Sequence, residues 1–262
     1  MKDADNHMDS IVTRVRNRDC VLMLDFDGVL SPIVKIPSEA RMSPTARQAL
    51  AACVKKMPVA IITGRTLLDI EKRVGLKDVI YAGSHGLEWK MNGRVRRKRI
   101  SQKTLSAFEM ARRSLLRHAK LFPKLFVEDK SYGLALGYRS LSAVQAGRFR
   151  VGATEVVKKF DRTVRIRVID NLCTFEIMPG SEWTKGECAR HIYDATAKGS
   201  ALAIYIGDSL TDEDAFRVFA KSGITIRVGK SHTSFAKYYF KSRSGVNRFL
   251  HKISDETNPE RT

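Results

Sequence analysis

Short apolar runs that stop at polar clusters set the rhythm of this chain. Val21-Leu22-Met23-Leu24 runs into Asp25-Phe26-Asp27-Gly28, and Pro58-Val59-Ala60-Ile61-Ile62 into Thr63-Gly64-Arg65. Val79-Ile80-Tyr81-Ala82 ends in Gly83-Ser84-His85-Gly86, and Ala201 to Ile206 in Gly207-Asp208-Ser209. Unbroken apolar runs of this length read as strands buried on both faces. Helical stretches separate them. An amphipathic lead-in covers about Asp9 to Arg18; Ser43-Pro44 opens a helix through about Lys56, serine as cap and proline at the first position; another helix runs from Thr66 to Val74. Thr184 to Thr196 is helical, Thr211 caps a helix through Ala220 with Asp212, Glu213 and Asp214 in its first turn, and Ile224 to Val228 is a final strand. Strand then helix, repeated, predicts a parallel sheet with right-handed crossovers.

The pattern changes after Trp89. Asn92-Gly93 is a hairpin signal, followed by the basic run Arg94 to Arg99. A long helix covers about Lys103 to Leu121, its stripe of Leu105, Phe108, Leu115 and Leu116 serving as core. Leu125 to Arg139 reads as strand with a turn near Gly133, Ser142 to Phe160 as helix, and Val164 to Ile177 alternates with a turn near Asp170-Asn171. The expected fold is therefore α/β: a Rossmann-like parallel sheet core built from 1–92 and 180–262, with an inserted α+β cap at 93–179. A loose tail is expected beyond about Pro259.

Composition changes the picture in two ways. With 262 residues and 43% hydrophobic content the chain can bury a proper core. Its 47 Lys and Arg against 28 Asp and Glu leave a formal charge of +19, which favours anionic partners such as phosphorylated substrates, nucleic acid or membrane lipid. The run 94–99 reads as a solvated face, so nucleic acid is not the expected partner despite that charge. Cys20, Cys53, Cys173 and Cys188 are scattered, with no Cys-x-x-Cys pair, and read as reduced thiols of a cytoplasmic protein. Met1 to Ser10 carries no secretory signal, and no apolar run approaches the roughly 18 residues of a membrane span.

Parallel strands bring their carboxyl ends to one sheet edge, so the four polar signatures converge although they are far apart in sequence. Alone, Asp25 and Asp27 are equally a pair of turn aspartates; four converging signatures point to a site. Asp25, Asp27 and Asp208 can supply oxygen ligands to one hard cation, and Mg2+ suits them because it takes one or two carboxylates together with phosphate oxygens and water. Asp25 is the natural nucleophile, forming an aspartyl-phosphate. Asp27 is then general acid and later base, its metal contact made through the backbone carbonyl. Thr63 offers a hydroxyl to a phosphate oxygen, and Lys185, in Thr184-Lys185-Gly186 at a helix start, a positive charge. Arg65 is a candidate substrate contact, or else a helix-start residue that pairs with Asp69.

Asp-x-Asp-Gly, Thr-Gly-Arg, Lys-Gly and Gly-Asp-x-x-x-Asp together resemble the haloacid dehalogenase superfamily of phosphohydrolases, the last aspartate being Asp212, a supporting residue. Finer features resemble its trehalose-6-phosphate phosphatases: Asp25 to Pro32; Gly83-Ser84-His85-Gly86-Leu87-Glu88; Glu128-Asp129-Lys130 with Gly137-Tyr138-Arg139; Phe175 to Pro179; and Thr211-Asp212-Glu213-Asp214-Ala215-Phe216. The resemblance spans about Val21 to Val246. It implies Mg2+-dependent hydrolysis of trehalose 6-phosphate, a phosphorylated disaccharide, with His85, Gly86, Glu128, Lys130 and Glu176 as substrate contacts and a cap that closes over the sugar. Ser84, Gly137 and Met178 stand where the family has Asn, His and Arg. They leave sucrose phosphate or a mannosyl-glycerate phosphate as alternative substrates. Phosphoryl transfer to a second sugar, and a non-catalytic basic binding protein, are further alternatives.

Overall fold

The computed structural model describes residues 1–34, 36–161, 166–171 and 173–256; Val164 and the tail beyond Pro259 lie outside the described residues. The strands are β1 (Lys2–Asp3), β2 (Cys20–Leu24), β3 (Val59–Ile62), β4 (Val79–Gly83), β5 (Glu88–Met91), β6 (Arg94–Arg97), β7 (Phe126–Lys130), β8 (Gly133–Gly137), β9 (Ile166–Asn171), β10 (Thr174–Pro179), β11 (Leu202–Gly207), β12 (Ile224–Val228) and β13 (Tyr238–Phe240). The helices are α1 (Met8–Arg16), α2 (Pro44–Val54), α3 (Leu67–Val74), α4 (Gln102–Ala119), α5 (Ala143–Phe160), α6 (Lys185–Thr196), α7 (Glu213–Phe219) and α8 (Arg243–Glu256). The chain forms two compact units, Met1–Arg97 with Trp183–Thr262, and Lys98–Glu182.

The larger unit is built on a sheet ordered β1-β13-β12-β11-β2-β3-β4-β5-β6. From β1 to β4 neighbouring strands are parallel; β5 and β6 are antiparallel additions at one edge. β2 is central, and alternation divides it: Cys20, Leu22 and Leu24 pack with α1, α2, α3 and α8, while Val21 and Met23 pack with α6 and α7. Its continuous apolar run is thus the consequence of helices on both faces. The caps follow the sequence signals: Ser43 Oγ accepts from Ala46 N and Thr66 Oγ1 from Asp69 N.

Lys98–Glu182 is an antiparallel sheet, β7-β8-β10-β9, with α4 and α5 against one face. Phe108, Leu115, Leu134, Leu136, Phe149, Phe175 and Ile177 fill the space between them. Leu105 and Leu116, expected with the core stripe, are half-buried. The unit begins at Lys98 rather than residue 93, because Asn92 and Gly93, at φ 52° and 73°, turn the chain so that β6 pairs with β5 and stays in the large sheet. β6 is an edge strand with Arg94, Val95, Arg96 and Arg97 all exposed, so the basic run is indeed solvated, and its charge opposes further strand addition.

Four elements depart from the sequence reading. Thr211 lies inside a 3-10 turn, Leu210–Asp212; the cap is Ser209, which exchanges hydrogen bonds with Asp212. β1 and β13 are two and three residues long and exist only because they pair with each other and with β12. α8 is absent from the expected elements, although Val246, Phe249, Leu250 and Ile253 recur at helical spacing and are fully buried. Among the described residues no helix is long and apolar enough to cross a membrane.

α8 closes one face of the core, with Phe249 against Phe240 and Cys53 Sγ donating to the Leu250 carbonyl at 3.7 Å. Phe249→Ala is therefore expected to destabilise the chain by about 3–5 kcal/mol. Urea unfolding measures this, and a loss under about 1 kcal/mol would show α8 to be dispensable packing.

Candidate active site

β2, β3, β4 and β11 lie side by side and parallel, so the loops that follow them share one edge of the sheet. β2 ends at Leu24, and Asp25 still takes part in the ladder through its N–H to the Ile206 carbonyl, 2.9 Å. The chain then turns: Leu30 and Ser31 N–H groups return to the Phe26 carbonyl, with Gly28 at φ 76°. Gly28 is required twice over, since a Cβ there would lie 1.9 Å from Asp208 Oδ2.

Lys185 ties two loops together. It opens α6, whose cap Thr184 accepts from Gly186 and Glu187 N–H. Its Nζ, fully buried, donates to Asp25 Oδ2 at 2.7 Å and Asp212 Oδ1 at 3.0 Å. Burial works against the ammonium charge, but the two carboxylates outweigh it and hold the pKa above the ordinary lysine value. For Asp25 burial prevails, and together with the charges of Asp212 and Asp208 it raises the carboxyl well above the usual range despite Lys185. For Asp212 the balance reverses: burial opposes ionisation, yet Lys185 and the Ser209 donors hold its pKa low. Asp212 accepts five hydrogen bonds, from Lys185, Tyr205 Oη, Asp208 N, Ser209 N and Ser209 Oγ. It organises its loop from within.

Asp25, Asp208 and Asp212 each bring a carboxylate oxygen within 4.8 Å of the others, a group that could hold a metal ion. Hard oxygen donors suit a hard cation. Asp208 fits best, for its carboxylate accepts no hydrogen bond from the described residues, while burial and the Asp212 charge push its pKa up to about 7. A cation would offset that repulsion. The Asp27 carboxylate is outside this group. Arg65 grips it with two bonds, Nε to Oδ2 and Nη2 to Oδ1, both 2.7 Å.

Arg65 itself departs from expectation. It is buried, and Asp27, Asp69 at 2.9 Å and the Pro37 carbonyl at 2.9 Å take its donors. Its guanidinium lies 5.5 Å from the Phe26 ring. The Asp69 pairing holds, but Arg65 acts on Asp27 rather than offering a vacant fork to a substrate.

The loops after β3 and β4 are zipped together. Thr63, buried, receives the His85 N–H on its carbonyl at 2.9 Å, and Arg65 receives that of Ser84 at 2.7 Å. Ser84, His85 and Gly86 all have positive φ, 51°, 55° and 91°. That conformation places the His85 ring over Gly64 and the Gly86 α-carbon against Cys188. Two residues absent from the sequence expectation hold it: Glu88 Oε1 accepts from Ser84 Oγ at 3.2 Å and Leu67 N at 3.1 Å, and Trp183 Nε1 donates to the Gly86 carbonyl at 2.7 Å. Glu88 was visible as a buried-strand carboxylate closing the Gly-x-x-Gly-x-Glu string; nothing local marks Trp183.

In the smaller unit, register brings Glu128 and Glu176 to either side of Ala135, on the sheet face away from α4 and α5. Lys130 Nζ lies 3.0 Å from Glu176 and 3.5 Å from Glu128. Burial opposes its charge, but the two glutamates prevail and raise its pKa. The three residues expected to act together are thus one cluster.

Comparison with known proteins follows the same lines. The trehalose-phosphatase family model matches residues 23–244. The chain belongs to the trehalose-phosphatase family. It is 35% identical over 216 residues to the trehalose-phosphate phosphatase of Mycobacterium tuberculosis strain H37Rv, covering 80% of this chain and 54% of that protein. The chain therefore spans about half the length of this mycobacterial relative. With the probable trehalose-phosphate phosphatase 4 of Oryza sativa subsp. japonica it shares 29% identity over 254 residues, 94% of this chain and 68% of the other. The C-terminal domain of trehalose-6-phosphate phosphatase from C. albicans has the same fold, with TM-score 0.84, 21% identity and coverage of 95% of this chain and 96% of that one.

The electrostatics of this family member are open to a direct test. Without added metal, Lys185→Met leaves Asp25 and Asp212 buried without their cation and is expected to cost about 3–5 kcal/mol at neutral pH. Loss of Lys185 raises both carboxyl pKa values in the folded state, so folding takes up protons that the unfolded chain does not hold. The deficit should therefore narrow as pH falls from about 7 toward about 5. Urea melts at both pH values decide it: an equal deficit at each would mean that Lys185 acts by packing alone.

Proposed function

We propose that this chain is a Mg2+-dependent phosphatase that hydrolyses trehalose 6-phosphate to trehalose and phosphate through an aspartyl-phosphate. The observation that carries the reading is the buried Asp25–Lys185 contact beside Asp208 and Asp212 at the carboxyl edge of the sheet, in a chain of the trehalose-phosphatase family. Asp25 and Asp208 would hold Mg2+, with the Asp27 carbonyl as a third donor; the ion supplies positive charge beside the phosphoryl group and lowers the repulsion met by an anionic nucleophile.

Asp25 attacks phosphorus, and the bond from phosphorus to the sugar oxygen breaks. The leaving oxygen takes a proton from Asp27. Water, deprotonated by Asp27, then attacks the same phosphorus, releasing phosphate and regenerating the Asp25 carboxylate. Arg65 holds the Asp27 carboxyl with two bonds, so in the acid step that carboxyl turns from Arg65 to the leaving oxygen. Lys185 and Thr63 are assigned to the phosphoryl oxygens; Lys185 also keeps Asp25 aimed. His85, held over Gly64, and Gly86 are assigned to the substrate, and the Glu128–Lys130–Glu176 cluster to sugar hydroxyls. Cys20, Cys53, Cys173 and Cys188 are free thiols, which supports a reducing, cytoplasmic setting as part of the same proposal.

Phosphate release measured with Mg2+ on trehalose 6-phosphate, sucrose phosphate, glucose 6-phosphate and an aryl phosphate tests the reading. The expected result is a kcat/KM for trehalose 6-phosphate well above the rest and no turnover by Asp25→Asn. Comparable values across the panel would overturn the choice of sugar, and an active Asp25→Asn chain the covalent mechanism. Glu128→Ala and Glu176→Ala are expected to raise KM for trehalose 6-phosphate about tenfold or more with little change for the aryl ester; equal effects on both would remove the cluster from the sugar site.

A further inference from the structure

The loop from Gly207 to Glu213 carries Asp208, whose carboxylate has no hydrogen bond of its own from the described residues; its place depends on the backbone beneath it. That backbone is held from the neighbouring strand. Arg227 of β12 stands opposite Gly207 of β11 in the parallel register. Its Nη1 donates to the Ser209 carbonyl at 3.2 Å and to Glu213 Oε1 at 3.0 Å. The other oxygen of Glu213 accepts from Phe235 N at 2.8 Å, which ties the acidic loop to the segment before β13. Both side chains are largely buried, 19% exposed for Arg227 and 9% for Glu213. The Arg227 Nε–H is buried with no partner among the described residues. A buried ion pair with an unused donor is a poor stabiliser, for desolvation consumes most of its attraction. What this pair does specify is geometry: it fixes both ends of the turn that presents Asp208 to Asp25.

We propose that Arg227 and Glu213 are positioning residues that set Asp208 for cation binding. The inference rests on the Mg2+-dependent reading above. It concerns residues that touch neither the phosphoryl group nor the ion. Geometry and charge predict opposite signs here. The Arg227 charge repels a dication, so if charge were its only influence, removing it would tighten metal binding; if it positions Asp208, removing it loosens binding.

The test is Mn2+ binding followed by electron paramagnetic resonance, with Mg2+ by calorimetry, on the full chain without any sugar phosphate. Arg227→Gln and Glu213→Gln are each expected to bind Mn2+ about 10–100-fold more weakly than the wild-type chain, the usual effect of losing an outer partner of a metal ligand. Unchanged or tighter binding by a folded Arg227→Gln overturns the proposal, as does a wild-type chain that binds no Mn2+. Should Arg227→Gln not fold, Glu213→Asp, which keeps the charge but shortens the reach to Arg227 and Phe235, decides it: weakened binding supports the proposal and unchanged binding refutes it. Because no sugar phosphate enters, weakened Mn2+ binding by the variants of a chain that releases no phosphate would sink the phosphatase reading and leave the positioning role intact.

Discussion

The structure depends on one buried ammonium. Lys185 sits between Asp25 and Asp212, residues from the loop after β2 and the loop after β11, with the lysine itself from the first turn of α6. Isolated, each of these charges would be costly in the interior by several kcal/mol. Together they are tolerable only while all three chain segments hold their places, so the larger unit must assemble correctly before its charges can be buried. The sheet order β12-β11-β2-β3-β4 meets this demand, placing the two acidic loops on adjacent strands with α6 packed against the face formed by Val21 and Met23.

Around that contact the rigidity is layered. Asp212 spends every acceptor on its own loop, Lys185 and Tyr205, and Arg65 pins Asp27, so two of the site's carboxylates are immobile before any ligand arrives. Asp208 is the exception: burial and the Asp212 charge push it up to about 7 despite Lys185 and Arg227. Held carboxylates beside one with no hydrogen bond from the described residues form a group that could hold a metal ion. The left-handed turn at Ser84 and His85 belongs to the same scheme. Each such non-glycine residue costs about 1–2 kcal/mol, and Glu88, Trp183 and the Thr63 carbonyl hold the turn in place.

The strand-end signatures were legible because a doubly covered parallel strand needs an unbroken apolar run, and such runs stop abruptly where chemistry begins. The larger sheet, the α+β insertion and the serine cap at Ser43 were legible for the same local reasons. α8 is legible too, in the spacing of Val246, Phe249, Leu250 and Ile253, although charged residues surround that stripe. The Arg65 grip on Asp27 was not. Its nearest sequence partner, Asp69, is four residues away on a helix, whereas Asp27 is in the loop after another strand, and only the sheet order makes them neighbours. The Arg227–Glu213 pair and the Trp183 bond to Gly86 are of that kind as well.

What the amino-acid sequence determined by itself is periodic or contiguous: which stretches are buried strands, where helices start, and that carboxylates cluster where strands stop. Burial pattern and capping are properties of neighbours along the chain, so they can be read along the chain. The tertiary structure alone decided the partners of each charge: that Lys185 bridges Asp25 and Asp212, that Asp27 faces Arg65, and that Asp208 is left open. An ion pair is set by distance in space, and residues 25, 185 and 212 become neighbours only when β2 and β11 lie side by side. Charge alone could not choose among 28 acidic and 47 basic side chains; the sheet order could.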